Sequence, residues 1–359
     1  MRNAIPIRTR KSPPEAPDSL AKLIAGKVIG QQSAIEAIVP YVSMYQAGLA
    51  PEGRPAGVFL LLGPTGTGKT RTVEALASAL HGSERSLLRI DCGEFQMDHE
   101  VAKLIGAPPG YLGHRETQPM LTQQKLNSVV TDRCGLSIVL FDEIEKAAPS
   151  LNRLLLGVLD QGILRLGDNT TVNFQNSLIF LTSNLGANGM QRELRQGVGF
   201  GRFVPQAAAE RQKQRLESIA LAAVKKRFSP EFLNRIDLTL TYHPLSEEAL
   251  SAILDLQLQD LQRHIANRLG PRAFELEVTP ESRAVLLNLG TSKEYGARHL
   301  KRAIHRHLMQ PLASMVTAGK IAPGATVIVE AAQDNSGLIL RVADSGQKPG
   351  SLAAPANAA

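Results

Sequence analysis

Four short runs of almost unbroken apolar residues punctuate the first two thirds of the chain: Val58-Phe59-Leu60-Leu61-Leu62, Leu87-Leu88-Arg89-Ile90, Ile138-Val139-Leu140-Phe141 and Leu178-Ile179-Phe180-Leu181. A strand with one wet face alternates apolar and polar residues, whereas a strand covered on both faces has no need to. Helix-length segments separate the runs, so the pattern predicts a parallel sheet flanked by helices, an α/β large domain.

Beyond Tyr242–Leu245 the period changes. Leu250, Ile253, Leu254, Leu258, Leu261 and Ile265 recur at helical spacing from Ser246 to Leu269, with Ser246 placed to cap. Thr279-Pro280 reads as an N-cap followed by proline in the first turn of a second helix, and a third covers roughly Gly296 to Val316. A strand is expected at Thr326–Glu330. The expected organisation is a flexible arm over 1–18, a large domain over 19–242, and a small, mainly helical C-terminal domain over 243–332. Residues 333–359 are read as a last strand and flexible tail.

Composition narrows the class. With 43% hydrophobic and 20% charged residues among 359, the chain reads as a folded globular protein. Cys92 and Cys134 are its two cysteines, too few for a disulfide framework and without zinc-site spacing. The basic N-terminus lacks the apolar run of a signal peptide, and no stretch is long enough to span a membrane, so a cytoplasmic protein is expected. A net charge of +7 permits a nucleic-acid partner, but the basic residues are scattered among acids. Aromatics make up 4% and tryptophan is absent, which leaves little material for base stacking. The histidines at 299, 305 and 307 on one basic helix do not make a metal face, because positions two apart diverge.

Specific chemistry begins at Gly63-Pro64-Thr65-Gly66-Thr67-Gly68-Lys69-Thr70, directly after the first apolar run and before a helix-like segment. This is the GxxxxGK[ST] pattern in the context its mechanism requires. Glycines let backbone N–H groups curl around phosphates, Lys69 reaches the β and γ phosphates of ATP, and the Thr70 hydroxyl binds Mg²⁺. The third run ends in Asp142-Glu143, two carboxylates suited to different tasks: Asp142 to the magnesium shell, Glu143 to polarising an attacking water. The fourth ends in Thr182-Ser183-Asn184, where an amide beside the γ-phosphate could orient water.

Together with Val28-Ile29-Gly30-Gln31, Gly106 to Gly113, Phe141 to Lys146, Phe228 to Asp237 and Tyr295 to Arg298, these motifs resemble AAA+ ATPases of the Clp unfoldase family. They are most similar to the second ATPase module of the disaggregase ClpB. The resemblance implies a Mg²⁺-dependent ATPase that works as a homo-oligomeric ring, a hexamer, and threads polypeptide clients through a central pore. It implies adenine contacts from Val28 and Ile29, a γ-phosphate sensor at Asn184, a second sensor at Arg298, and an arginine finger at Arg235 acting on the neighbouring subunit. Gly110, Tyr111, Leu112 and Gly113 would form the substrate-gripping pore loop, and 162–174 a second one. Departures are expected to matter: no preceding ATPase module, middle domain or substrate-binding domain is seen, so a stand-alone single ring is anticipated. Val198-Gly199-Phe200 is similar to the loop with which other Clp unfoldases dock on a ClpP-type peptidase, though a plain glycine loop is the preferred reading. Two other classes stay open, a DNA-directed motor and a nucleotide-gated scaffold. The segment at Tyr111 argues against the first, and intact Glu143 and Arg235 against the second.

Overall fold

The computed structural model describes residues 17–106, 119–196, 206–290, 296–332 and 337–343, which divide at Ser246–Glu247 into two compact units. The first begins with α1 (Pro17–Ala25), α2 (Gln32–Gln46), β1 (Gly57–Leu62), α3 (Lys69–His81), β2 (Leu88–Asp91), α4 (Ala102–Ile105) and α5 (Gln123–Ser128). It continues with β3 (Ser137–Asp142), α6 (Pro149–Gln161), β4 (Ile163–Arg165), β5 (Thr171–Asn173) and β6 (Ser177–Ser183). It closes with α7 (Ala187–Gln196), α8 (Gln206–Arg227), α9 (Pro230–Leu233) and β7 (Leu238–Thr241).

Its main sheet has the order β2-β3-β6-β1-β7, and every neighbouring pair is parallel. The three inner strands are the unbroken apolar runs, and alternate side chains enter two different cores. Val58, Leu60, Leu62, Val139, Phe141, Ile179 and Leu181 pack on one face with residues of α6 and α8. Phe59, Leu61, Ile138, Leu140, Leu178 and Phe180 pack on the other with α1, α2 and α3. The Phe59 and Phe180 rings stack across β1 and β6 at 4.9 Å, and Tyr41 meets Phe59 edge-on at 5.0 Å. Burial on both faces is thus the physical reason these strands lack alternation.

β7 escaped the sequence reading. Its Leu-Thr-Leu-Thr alternates and is only partly buried, as suits an edge strand of four residues. β4 and β5 form a hairpin pairing Leu164 with Val172, within the segment anticipated as a second pore loop. Its turn is closed by Asp168, whose Oδ1 accepts from the Thr170 amide and hydroxyl, and by Asn169 at φ 66°.

The second unit contains α10 (Glu247–Leu269), β8 (Glu275–Val278), α11 (Pro280–Gly290), α12 (Ala297–Ile304), α13 (Gln310–Thr317), β9 (Thr326–Ala331) and β10 (Leu338–Val342). Thr279 does cap α11, accepting from the Ser282 amide at 3.3 Å. One π turn, His305–Met309, joins α12 to α13. β9 pairs parallel with β8 and antiparallel with β10, and Val327 and Val329 are buried among the helical leucines. Periodicity had indicated the helices; β8 is too short for its alternation to declare itself.

Candidate active site

Parallel strands end on the same edge of their sheet, so the registers of β1, β3 and β6 bring three loops together. Leu62 lies opposite Ser183 and Phe141 opposite Leu181, so Gly63, Glu143 and Asn184 emerge side by side. In open α/β sheets this carboxyl edge is where ligands bind.

The phosphate loop is built from glycine conformations. Gly63, Gly66 and Gly68 have φ of 145°, 79° and 106°, values that L side chains rarely adopt. At Gly63 a Cβ would also strike the backbone carbonyl of Tyr242, the residue after β7, whose amide donates to Leu62. Thr67 Oγ1 donates back to the Pro64 carbonyl at 2.9 Å. Gln31 Nε2 bridges the carbonyls of Thr67 and His243 at 3.0 and 2.9 Å, tying the loop to the chain beyond β7. A Cβ on Gly68 would meet only Gln31 and Val28, each at 4.0 Å, so Val28 borders the loop. Val28 is buried and Ile29 half-buried.

Lys69 opens α3 and is only 7% exposed. A buried ammonium needs oxygen partners. It has them in the carbonyls of Gly63 (2.6 Å) and Pro64 (2.9 Å) and in Asn184 Oδ1 (2.9 Å). Asn184 Nδ2 donates to Glu143 Oε1 at 3.1 Å, and the other Glu143 oxygen pairs with Lys146. Ammonium on one side and carboxylate on the other define which way the amide points. The hydrogen bond that Lys146 donates to Glu143 raises the lysine's pKa.

Glu143 has φ 56°, a left-handed conformation uncommon for a residue with a side chain. Its amide donates to Thr182 Oγ1 at 3.0 Å, and that hydroxyl donates to Asp142 Oδ1 at 2.5 Å. Asp142 Oδ2 accepts from Arg89 Nη2 at 2.5 Å. Glu145 Oε1 accepts the Asn184 amide at 3.0 Å, and Arg227 donates to the carbonyls of Glu145 and Ala147 from α8. Thr182, Arg89, Glu145, Arg227 and Gln31 are thus supporting residues that spacing did not reveal. Thr182, Gln31 and Glu145 lie within recognised motifs, though with no supporting role assigned, whereas Arg89 and Arg227 depend on strand order and on a distant helix.

The carboxylates concentrate negative charge. Burial first, then the charges of Asp91, Asp142, Glu145 and Glu143, push the Cys92 thiol far above its ordinary pKa, so it is no nucleophile. A lysine-lined loop facing a cluster of acids has the donor set for a phosphate ester with a divalent cation, and Thr70 and Asp142 are the oxygen ligands on offer.

The remaining expected residues are scattered. Arg235 follows α9, where it contacts Glu231 and Asp160. Arg298 is exposed on α12 in the second unit. Gly110, Tyr111, Leu112, Gly113, Val198, Gly199 and Phe200 lie outside the described residues. Among the described residues no helix is long and apolar enough to cross a membrane.

A parallel sheet with this loop, these two acids and a polar side chain on the strand between them defines a P-loop ATPase. The chain belongs to the AAA family: residues 54–239 match the AAA domain (Cdc48 subfamily), and 245–329 match the C-terminal, D2-small domain of ClpB protein. It is homologous to the C-terminal module of ClpB. Over 309 residues it is 39% identical to the chaperone protein ClpB of Vibrio cholerae serotype O1, covering 86% of this chain and 33% of that protein. The chain therefore spans about a third of the length of the ClpB proteins it matches. It is also 39% identical over 315 residues to the Pseudomonas aeruginosa "ATP-dependent protease ATP-binding subunit-like protein AmiB", covering 87% of this chain and 81% of that one. Among solved structures, the extended Saccharomyces cerevisiae Hsp104:casein complex aligns with a TM-score of 0.75 and 29% identity, over 89% of this chain and 51% of that one. The closed Hsp104 state with casein gives 0.74 and 28%, over 91% and 51%.

Proposed function

We propose that this protein is an ATP-dependent unfoldase or remodelling chaperone, which hydrolyses ATP as a ring, the hexamer its family implies, and threads polypeptide past Tyr111. The carrying observation is the continuous hydrogen-bonded series Lys69–Asn184–Glu143 at the carboxyl edge of the sheet. In this reading the loop amides and Lys69 hold the phosphates, with Val28 and Ile29 beside adenine. Thr70 and Asp142 would hold Mg²⁺, which supplies charge neutralisation when bound. Glu143 takes the proton of the attacking water, and Asn184 couples that carboxylate to the γ-phosphate position. Arg298 acts as second sensor, and Arg235 serves the pocket of the next copy, where a guanidinium on developing charge is worth about 10³–10⁵ in rate. The solved Hsp104 complexes with casein support a polypeptide substrate class.

The test is ATP turnover and nucleotide affinity in variants. Lys69→Ala should weaken binding, whereas Glu143→Gln should keep ATP while losing turnover about 10²–10⁴-fold; normal turnover in Glu143→Gln ends the assignment. Tyr111→Ala should hydrolyse ATP yet fail to unfold a tagged reporter.

A second reading, an unfoldase feeding a ClpP-type peptidase, draws on the name of the Pseudomonas relative and on Val198-Gly199-Phe200. Retention on immobilised peptidase that disappears with Phe200→Ala would favour it, and absence of retention removes it.

A further inference from the structure

α6 carries a carboxylate where a helix least favours one. Aligned peptide dipoles leave partial negative charge at the C-terminal end. Asp160 is nevertheless the penultimate residue of α6, and the last turn contains no basic side chain. The compensating cation comes from elsewhere in the fold: Arg235 Nε lies 3.6 Å from Asp160 Oδ1.

The guanidinium is otherwise held by its own short helix. Arg235 Nη1 donates to the Glu231 carbonyl at 2.7 Å, and Nη2 stands 3.3 Å from Glu231 Oε1. Nε is buried and makes no hydrogen bond, since 3.6 Å is an ion-pair distance only. Asp160 is 53% exposed against 23% for Arg235. A pair this open to water biases an equilibrium by no more than about fivefold. That is enough to hold the side chain at rest, and little enough for a phosphate oxyanion to displace it.

We propose that Asp160 is a positioning residue, the resting dock of Arg235, which competes for the guanidinium with the nucleotide of the neighbouring copy. The inference rests on the reading of Arg235 as the group that reaches that nucleotide. Its structural consequence concerns α6. This helix starts just after the Ile144–Lys146 turn that follows Glu143, and ends at Gly162, where the β4–β5 hairpin begins. Gly162, at φ 63°, is a cramped corner, with Gln175 and Arg54 within 3.3 Å of where a Cβ would stand. When Arg235 leaves, Asp160 stands uncompensated at the negative end of the dipole, beside that corner. The hairpin in turn binds the end of α4, through the Gly167 amide to the Ile105 carbonyl at 2.8 Å. The C-terminal turn of α6 is therefore the part of one subunit that registers the nucleotide of the next.

The experiment measures kcat and KM for ATP, on the full chain with Mg²⁺, in Asp160→Asn, Asp160→Glu, Arg235→Ala and the double variant Asp160→Asn/Arg235→Ala. Releasing the guanidinium should raise kcat about two- to fivefold in Asp160→Asn with KM unchanged, and Asp160→Glu should restore the wild-type value. In the Arg235→Ala background the Asn substitution should have no effect, because the group it releases is gone. An unchanged or lowered kcat in Asp160→Asn, or an equal effect in both backgrounds, overturns the dock. Undiminished kcat in Arg235→Ala overturns instead the finger reading on which it stands.

Discussion

Gly63 shows how one residue can be constrained from two directions. Its φ of 145° excludes most side chains, and the Tyr242 carbonyl occupies the space a Cβ would take. Gly63→Ala should therefore destabilise the first unit by about 1–3 kcal/mol, seen as a lowered denaturant midpoint with unchanged slope. The need for glycine was legible in the motif, because phosphate loops require backbone to approach the ligand. The second constraint was not, since Tyr242 follows a strand far along the chain. Asn184 is a similar case. Its place after an apolar run suggested a polar contact to phosphate, but its fixed orientation between Lys69 and Glu143 exists only because β6 lies between β1 and β3.

At the scale of elements, α3 joins the phosphate loop to a buried histidine. His81 sits in its last turn, where the dipole would favour a cation. Desolvation wins: burial lowers its pKa even though the Leu136 carbonyl at 3.0 Å favours the charged ring. The unfolded chain takes up a proton near pH 6.5 and the folded chain only at lower pH. Stability should accordingly fall as pH drops through that value, with a slope of at most about 1.4 kcal/mol per pH unit from this group. Urea midpoints between pH 7 and pH 5 check the sign, and His81→Gln should flatten that part of the curve. The inner strands and long helices were readable because burial on both faces, or on one stripe, leaves a strong pattern. β7, β8 and the hairpin were not, because elements of three or four residues carry too few positions to display a period.

For the whole molecule, the proposed division of labour between Arg235 of one copy and Lys69 and Glu143 of the next has a direct consequence. If the finger acts between copies, Glu143→Gln lacks a base but keeps a finger, and Arg235→Ala has the reverse defect. Mixing the two inactive variants should restore ATPase activity well above the average of the separate proteins, because mixed interfaces contain one intact pair. Turnover that stays at the average would show that Arg235 works within its own chain or not at all.

Local order of residues determined what is chemically local. A strand, a glycine-bearing turn and a helix starting at Lys69 lie within a few residues of one another, so their phosphate-binding chemistry follows from adjacency. Tertiary structure decided the rest: that Thr182 links Asp142 to the Glu143 backbone, that Gln31 ties the loop to His243, and that Asp160 faces Arg235. Those partners are far apart in the chain, and their meeting depends on strand order and on how helices pack across two cores, which no short-range spacing encodes.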